Sequence, residues 1–360
     1  MDAYQGWEPI GSTRSIRFTG TWREYLPIAA TNALLTVVTL GVYRFWATAR
    51  QRRYLWSRTE VIDDRLEWTG TGKEMFIGFL LVVAILLPFF LFLQFLFPAL
   101  LARGHVAAAM GFMALFYIGL IFLGGFARIR ALRYRLSRTW WHGIRGGSDN
   151  GGWAYGCEYL GRMGLTVLTA FIVFPWAATR LWERRWNSMS FGPFQFQTQL
   201  DAKGLKRRWA LLYLIPIALV LVVGMLGAAF VGGDGQPSGI SVVLIGVVTL
   251  LLFYIGIPLA TLHWFAKFYR KAAGQMTIGG LEFDFDATTW DWLKLFLGNL
   301  ALAVVTLGFG LTYWGYRNWS FMVRHLSIQG EVDLSQLTQS VVHAPGEAEG
   351  FADMFDVGAI

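Results

Sequence analysis

The feature that most constrains this chain is a run of 27 residues without a charge, MFIGFLLVVAILLPFFLFLQFLFPALL, from Met75 to Leu101. Three further runs have the same character: Val106 to Ala127, Trp209 to Gly232 and Gly239 to Ala266. Each exceeds the roughly 20 apolar residues that a helix needs to cross the hydrocarbon core of a bilayer. Only 15% of the residues are charged, against about 25% in soluble domains. We therefore expect a helical membrane protein with four clear spans.

Two stretches at opposite ends of the chain repeat one another. NALLTVVTLGVYRFWATARQRRY begins at Asn32, and NLALAVVTLGFGLTYWGYRNWSF begins at Asn299. They align without a gap, and Gly41 and Gly308 fall where an apolar helix would stop or bend. Each stretch therefore predicts an apolar helix followed by a basic, aromatic segment.

A third and more divergent copy lies between these two stretches. It begins near Glu158 and ends in WAATR, Trp176 to Arg180, which resembles WATAR at Trp46 to Arg50. In this copy Phe174-Pro175-Trp176 stands where the others have a Thr-Leu-Gly turn. The sequence thus predicts three repeated apolar helices, at Tyr25–Tyr43, Met163–Thr179 and Leu295–Tyr316.

Three motifs resemble the YjgN-like family of bacterial inner-membrane proteins. They are RFTGTWREYL (Arg17–Leu26), TLGVYRFWATARQRRY (Thr39–Tyr54) and TGTGKEMFIG (Thr69–Gly78). The likeness extends over most of the chain. It implies a multi-pass protein of the bacterial inner membrane and implies no activity, because no chemistry is established for the family.

Short strings beside the repeated helices alternate apolar and polar residues, which is typical of half-buried strands. Isolated strands are unstable, so we expect these strings to pair on one side of the membrane. They are Arg14–Thr21, Val61–Thr71, Phe191–Leu200, Met276–Phe285 and Leu326–Leu334.

Two topologies remain open. If all seven apolar segments cross, the basic residues divide almost evenly between the two faces, which leaves no positive-inside signal. If the three repeated helices are instead re-entrant or interfacial, only the loops near Arg103 and at Gly232–Gly239 are external, and nearly all Lys and Arg residues face the cytoplasm. Length alone permits crossing. We favour four spans, with both termini cytoplasmic.

The expected fold class is an all-α, multi-pass helical bundle with four spans, three repeated helices that span or are re-entrant, and short cytoplasmic strand segments. The domain division follows from the order of these parts. Repeat 1 covers residues 1–74, a transmembrane hairpin 75–127, repeat 2 residues 128–208, a second transmembrane hairpin 209–266, repeat 3 residues 267–338 and a flexible tail 339–360.

Nine basic and aromatic residues are predicted to contact lipid headgroups, because the membrane–water interface favours aromatic rings and snorkelling guanidinium groups. The net charge of +8 indicates anionic membrane lipids as partners, and no nucleic-acid-binding signature is present. The nine residues are Trp46, Arg50, Arg52, Arg53, Trp176, Arg180, Arg184, Arg185 and Arg317.

Six polar residues in the repeated helices are candidates for a ligand site or a polar cavity: Asn32, Asn299, Arg162, Glu24, Glu158 and Asp291. The three acidic residues are predicted at the same place, the start of the helix, in all three copies. The alternative explanation is structural, because a carboxylate at the start of a helix interacts favourably with the positive helix N-terminus. The alternative role for Asn32 and Asn299 is a hydrogen bond across neighbouring helices. The alternative for Arg162 is to snorkel to the membrane–water interface.

The sequence contains no metal-ligand spacing, nucleophile motif or phosphate-binding loop, and its single cysteine, Cys157, excludes an internal disulfide. We therefore predict no enzyme activity, no metal and no cofactor. The repeats and the polar residues within apolar helices favour a transporter, a channel or a lipid-handling protein. The alternative is a non-catalytic membrane scaffold or partner-binding protein.

Overall fold

The computed structural model describes residues 16–229, 239–330 and 338–339. Apart from Gln339, the predicted tail lies outside the described residues. The helices are α1 (Trp22–Val38), α2 (Arg44–Ser57), α3 (Gly72–Leu91), α4 (Phe97–Ala102), α5 (Val106–Arg138), α6 (Trp153–Leu168), α7 (Phe174–Trp186), α8 (Leu205–Ala229), α9 (Gly239–Leu251), α10 (Ile257–Ala273), α11 (Thr289–Val305) and α12 (Leu311–His325). The strands are β1 (Ile16–Phe18), β2 (Thr59–Val61), β3 (Asp64–Arg65), β4 (Glu67–Trp68), β5 (Thr139–Trp141), β6 (Ile144–Gly147), β7 (Ser190–Phe191), β8 (Phe194–Thr198), β9 (Met276–Ile278), β10 (Leu281–Phe285) and β11 (Leu326–Gly330).

Four helical stretches are long and apolar enough to cross a membrane, and they coincide with the four runs that the sequence predicts as spans. They are Gly72–Ala102, Val106–Arg138, Leu205–Met225 and Val242–Ala273. Two of them contain a π-helical turn, at Phe92–Leu96 and Leu252–Gly256. Each π turn lies just before a proline, Pro98 or Pro258, whose missing N–H disturbs the regular ladder of hydrogen bonds.

The protein is mostly helical, as predicted, but the description all-α with short strand segments is too narrow, because the structure also contains an extended antiparallel sheet. Eight strands pair in the order β11-β10-β9-β8-β7-β6-β5-β4, and β1-β2-β3 form a second sheet. Only Leu66 separates β3 from β4, and β1 packs against β11. The strands therefore curl almost into a closed ring. The sequence indicates strand-like strings, but strands of two to five residues do not reveal partners that lie beyond a helical insertion.

The interior of this ring is filled with apolar side chains. In β8 the side chain of Phe196 is buried, whereas Gln195 and Gln197 are exposed, as the two-residue period of a strand requires. Helix ends complete the same core. Its buried members include Ile129, Leu132, Leu181, Phe196, Met276, Ile278, Leu281, Val323 and Ile328.

Five helical hairpins are inserted between neighbouring strands of the ring. They are α1–α2, α3–α5, α6–α7, α8–α10 and α11–α12. Since the strands are antiparallel neighbours, all five hairpins leave the same edge of the sheet, and the tight β-turns lie at the opposite edge. Contacts run from each hairpin to the next, and α12 contacts α1. The helices thus form a second ring above the strands.

Three of the hairpins are short. Helices α1, α6 and α11 have 16 or 17 residues, about 25 Å of helix, and each is followed at once by an antiparallel partner. The prediction of one helix at Met163–Thr179 is wrong, because the chain turns between Leu168 and Phe174. The predicted helices Tyr25–Tyr43 and Leu295–Tyr316 also include a turn.

Candidate functional site

The tips of the three short hairpins share one backbone conformation. The φ angles are 49° and 91° at Leu40-Gly41, 49° and 66° at Ala170-Phe171, and 50° and 92° at Leu307-Gly308. Glycine suits the second position because a side chain is strained in this left-handed region. The predicted helix stops at Gly41 and Gly308 are confirmed. The residues that correspond to Thr-Leu-Gly in the middle copy are Thr169-Ala170-Phe171, and not Phe174-Pro175-Trp176 as the sequence alignment indicates, because the turn there lacks a glycine.

In the first and third turns, the backbone N–H groups are paired within the hairpin, whereas in the middle turn the carbonyl oxygens of Ala170 and Phe171 accept from Tyr213 and Trp209 of α8. At the first tip, all six N–H groups from Thr39 to Arg44 donate to acceptors within the hairpin, and one of these acceptors is the Oγ1 of Thr39, 2.9 Å from the nitrogen of Tyr43. The same six bonds recur from Thr306 to Leu311, with Thr306 in the role of Thr39. Backbone whose polar groups are paired in this way is compatible with hydrocarbon.

The side chains at the tips are apolar and almost fully exposed. Leu40 is 94% exposed, Leu168 85% and Leu307 89%. Several neighbours on the same tips are also exposed: Val37, Val38, Val167, Ile172, Val304, Val305 and Phe309. Apolar surface concentrated in this way is typical of contact with lipid or with another protein.

The two asparagines join the helices of their own hairpins. Asn32 is buried and its Nδ2 donates to the carbonyl oxygen of Ala47 at 3.3 Å. Asn299 is buried and its Nδ2 donates to Oδ1 of Asn318 at 2.9 Å. Both bonds fit the interpretation that these amides hold neighbouring helices together. Neither of the two cavities described below is lined by these residues.

In the middle hairpin, an ion network takes the place of these amides. Arg162 lies seven residues before Thr169, as Asn32 lies before Thr39. Its Nη2 is 2.7 Å from Oε1 of Glu158, and its guanidinium lies 4.7 Å from the ring centroid of Trp176. Arg184 approaches the same carboxylate at 3.4 Å. The structure thus brings together four residues that the sequence analysis had assigned to two different groups.

The three acidic candidates do not occupy equivalent places. Glu24 and Asp291 lie in the first turns of α1 and α11, whereas Glu158 lies in the second turn of α6, whose first turn contains no acidic residue. The predicted equivalence of Glu158 is therefore wrong. Asp291 forms a capping box with Thr288, and these hydrogen bonds hold the pKa of the carboxyl below its ordinary value. Glu24 instead pairs with Arg58 at 3.1 Å.

Of the nine predicted interface residues, six are exposed, one is half-buried and two are buried. Arg52 is buried with its guanidinium 5.0 Å from the ring centroid of Trp68, and Arg185 is buried 5.2 Å from that of Trp182. Their assignment to lipid headgroups is therefore corrected, because their sides of α2 and α7 face the protein core. Arg317 is half-buried. The exposed members are Trp46, Arg50, Arg53, Trp176, Arg180 and Arg184.

A cavity of about 330 Å³ opens at the base of the third short hairpin, between the first turns of α11 and the last turns of α12. Lys294, Arg317 and Arg324 line it, together with Asp291 and His325. The sequence analysis singled out Arg317 and Asp291 but missed the other three. The spacing of these residues in the sequence is the signal that could have identified two of them. Lys294 follows Asp291 by three residues and Arg324 follows Arg317 by seven, which places each pair on one face of its helix.

A second cavity, of about 550 Å³, lies at the opposite edge of the sheet. It separates the β7–β8 turn from the β9–β10 turn, and its polar lining includes Gln195, Gln197 and Thr277 together with one charged residue, Asp149. Within the described ranges, no group of three or more His, Cys, Asp or Glu side chains is arranged to hold a metal ion.

Comparison with known proteins places these features in a family. A family model described as a bacterial protein of unknown function (DUF898) matches residues 13–354. The chain is 23% identical over 376 residues to the inner membrane protein YjgN of Salmonella typhimurium, a match that covers 89% of this chain and 90% of the relative. It is 29% identical over 133 residues to the inner membrane protein YjgN of Escherichia coli K12, which covers 37% of this chain and 30% of that relative. No solved structure matches.

Proposed function

The chain belongs to the DUF898 family of bacterial proteins of unknown function, and from this premise we propose that it is a lipid-handling protein of the bacterial inner membrane. Hairpins α3–α5 and α8–α10 cross the membrane, giving four spans. The three short hairpins, which are internal repeats, enter only the cytoplasmic leaflet. Their function is to bind and organise phospholipids in that leaflet.

The observation that carries this proposal is the build of the hairpin tips. A turn lies among acyl chains at low cost only if its backbone groups are paired within the protein, and every backbone N–H group at Thr39–Arg44 and at Thr306–Leu311 is paired in this way. The apolar exposed side chains at Leu40 and Leu307 favour the same environment.

The connections at the base of the hairpins support insertion from one side. Hairpin α1–α2 begins at β1 and returns to β2, and Ile16 of β1 pairs directly with Val61 of β2. Hairpin α11–α12 likewise returns to the strand that pairs with its starting strand, β10 with β11. If α1 or α11, each about 25 Å long, crossed the bilayer as a single span, it would leave these paired strands on opposite faces.

Charge supports a cytoplasmic position for the sheet. With the sheet in the cytoplasm, the external segments are the loop at Arg103 between α4 and α5 and the connection between α8 and α9, which together contain one basic residue. This agrees with the positive-inside rule. Both the first and the last described strands then lie in the cytoplasm, and so do the chain termini.

Packing favours lipid handling over conduction. The axis of the strand ring is filled by buried side chains such as Ile129, Leu181 and Ile278, so a conduit along that axis would require the core to rearrange. Cationic side chains instead collect at the bases of the short hairpins, at the level where headgroups lie.

Topology and depth can be measured together. In a Cys157→Ser background, single cysteines at Asp64, Asp149 and Gly204 should be protected from an impermeant thiol reagent in intact cells, and one at Gly104 should react. Cysteines at Leu40, Leu168 and Leu307, labelled with a fluorophore after purification and reconstituted in liposomes, should be quenched by brominated acyl chains. Reaction of these tips with the water-soluble reagent from either side would show that they are not inserted.

Lipid handling is tested by counting the phospholipids that remain bound after purification, using native mass spectrometry. We expect the triple variant Leu40→Gln, Leu168→Gln, Leu307→Gln to lose bound lipid. The matched control carries Leu115→Gln, Leu214→Gln and Leu250→Gln, which make the same chemical change at exposed leucines on the spans, and it should retain the lipid. Equal lipid content in both variants and the unmodified protein would contradict the proposal.

The second candidate function is that of a partner-binding scaffold. The observation that favours it is the cleft of about 550 Å³ between two β-turns at the edge of the sheet away from the helices. Its lining of Gln195, Gln197 and backbone groups suits hydrogen bonding to a peptide. Stoichiometric co-purification of one cytoplasmic protein, abolished by Gln195→Ala with Gln197→Ala, is the expected result for this function.

A further inference from the structure

The cavity at the base of the third short hairpin differs from the same place in the first hairpin. In the first hairpin Glu24 and Arg58 form an ion pair at 3.1 Å. The corresponding residues, 267 positions later, are Asp291 and His325. Both side chains are shorter, and Asp291 turns toward Thr288, 2.6 Å from its hydroxyl. A cavity of about 330 Å³ remains where the first hairpin has an ion pair.

A glycine allows one cation of the cavity to lie against the neighbouring helix. Nη1 of Arg317 donates to the carbonyl oxygen of Gly298 at 3.1 Å. A Cβ on Gly298 would lie 2.2 Å from Nη2 of Arg317, so any larger residue would displace the guanidinium. The first hairpin has Thr31 at this position, and its corresponding Arg50 is exposed. The third hairpin is thus built to keep a guanidinium half-buried beside the cavity.

The charges that line the cavity are mainly positive. Lys294, Arg317 and Arg324 are cationic, and Asp291 is the carboxylate that faces them. That carboxylate is engaged by Thr288, and Lys294 approaches it only to 3.8 Å. One half-buried and two exposed cations around a single carboxylate already engaged by Thr288 favour an anionic ligand, and guanidinium groups bind phosphate with bidentate hydrogen bonds.

The surroundings of the cavity point to a phospholipid. Trp290 is exposed and its ring lies 5.5 Å from Nζ of Lys294, an arrangement typical of the headgroup layer. From there toward the tip, α11 presents the exposed apolar residues Phe296, Leu297 and Leu300. An acyl chain can lie along this surface while the phosphate occupies the cavity.

We infer that the cavity lined by Lys294, Arg317 and Arg324 is a phosphate-binding site that holds the headgroup of an anionic phospholipid. This inference specifies a site within the proposed lipid-handling function. The cavity itself does not depend on how deeply the hairpin tips enter the bilayer, so the two proposals can fail separately.

The test uses the full chain in detergent micelles, with thermal unfolding as the readout. Titration with phosphatidylglycerol should raise the melting temperature of the unmodified protein, whereas phosphatidylcholine should not. In Lys294→Gln with Arg324→Gln, the apparent affinity should fall roughly ten-fold or more, because two charge-assisted hydrogen bonds are lost. The control Lys203→Gln with Lys206→Gln makes the same charge change at exposed positions and should bind as the unmodified protein does.

Further measurements distinguish loss of the site from a folding defect, and a phospholipid from a soluble phosphate ligand. Lys294→Arg with Arg324→Lys keeps both charges and should restore most of the response to phosphatidylglycerol. That result would exclude a folding defect as the cause of the weaker binding in Lys294→Gln with Arg324→Gln. Inorganic phosphate without lipid should give little response; an equal response to phosphate and none to phosphatidylglycerol would assign the site to a soluble phosphate ester and overturn the lipid assignment. Equal binding of phosphatidylglycerol by the unmodified protein and by Lys294→Gln with Arg324→Gln would overturn the site itself.

Discussion

The indole rings of Trp56 in α2 and Trp319 in α12 stack with their centroids 4.1 Å apart and their planes 23° from parallel. Each indole N–H donates to a threonine hydroxyl, Trp56 to Thr139 at 2.9 Å and Trp319 to Thr59 at 2.8 Å. These contacts join the first hairpin to the last and to the strands beneath them. The closure of the ring therefore depends on two side chains that are distant in the sequence.

Replacing one of these tryptophans should strongly destabilise the protein. We expect Trp319→Ala to lower the free energy of unfolding by about 3 kcal/mol, because a large packed side chain is lost. A double-mutant cycle with Trp56→Ala should give a coupling energy of about 1 kcal/mol, measured by denaturant unfolding in mixed micelles. Trp22→Ala, at an exposed tryptophan, should be additive with Trp56→Ala, and a coupling near zero for the stacked pair would contradict the assigned role.

Alanine should have opposite effects at two glycines. At Gly308, where φ is 92° and no atom lies within 4 Å of an added Cβ, we expect Gly308→Ala to cost about 1 kcal/mol through backbone strain alone. At Gly161 in α6 the space is equally open, but the backbone is helical, so Gly161→Ala should stabilise by up to about 1 kcal/mol. Unfolding titrations of both variants check the two signs, and the same sign for both would show that strain does not govern the turn.

Substitution of two neighbouring arginines in α7 should change the free energy of unfolding by very different amounts. Arg185 is buried and Arg184 is exposed. We expect Arg185→Gln to lower the free energy of unfolding by about 2 kcal/mol, because the buried groups around it lose a charged partner. Arg184→Gln, which removes the same charge, should cost less than about 1 kcal/mol. Equal effects in the same unfolding assay would contradict the burial of Arg185.

The stability of the first strands should depend on acid pH through Glu60. Its carboxylate is 2.8 Å from Arg17 and 3.1 Å from Arg65, and the hydrogen bonds from Arg17 and then Arg65 hold the pKa of Glu60 below its ordinary value. Since the folded pKa is the lower one, this interaction stabilises the protein above the ordinary Glu pKa of about 4.3 and is lost as the pH falls through the lowered pKa.

We therefore expect the stability difference between the unmodified protein and Glu60→Gln to stay below about 1 kcal/mol at neutral pH, because the pair is solvated, and to shrink in acid. Unfolding in micelles across this range measures it. Glu67→Gln, at an exposed glutamate in β4, is the control and should show no such trend. A difference for Glu60→Gln that grows as the pH falls would contradict this assignment.

The sequence predicts those parts of the fold that short-range patterns determine. The four spans follow from apolar runs longer than the bilayer core requires, and the alternating string at Phe191–Leu200 contains strand β8. The ring of strands does not follow, because β8 pairs with β9 only across the whole hairpin α8–α10. Partner choice at such separations depends on tertiary packing rather than on local pattern.

In the candidate site, too, local sequence patterns predict some features, whereas others depend on tertiary packing. Gly41 and Gly308 mark their turns because glycine is the usual signal of a left-handed residue, whereas Ala170-Phe171 makes the same turn without that signal. The burial of Arg52 and Arg185 was missed because it depends on which side of α2 and α7 faces the core. A basic residue in an amphipathic segment is otherwise expected to reach solvent.

The contact between α1 and α12 has a consequence for biosynthesis. The hydroxyl of Tyr25, a fully buried side chain, donates to the carbonyl oxygen of Thr312 at 3.0 Å, and its ring stacks on Tyr316. A ribosome must add almost 290 further residues before the partners of Tyr25 exist. The first hairpin must therefore wait, incompletely packed, until translation is nearly finished, and a nascent chain arrested before α12 leaves α1 without the helix on which it docks.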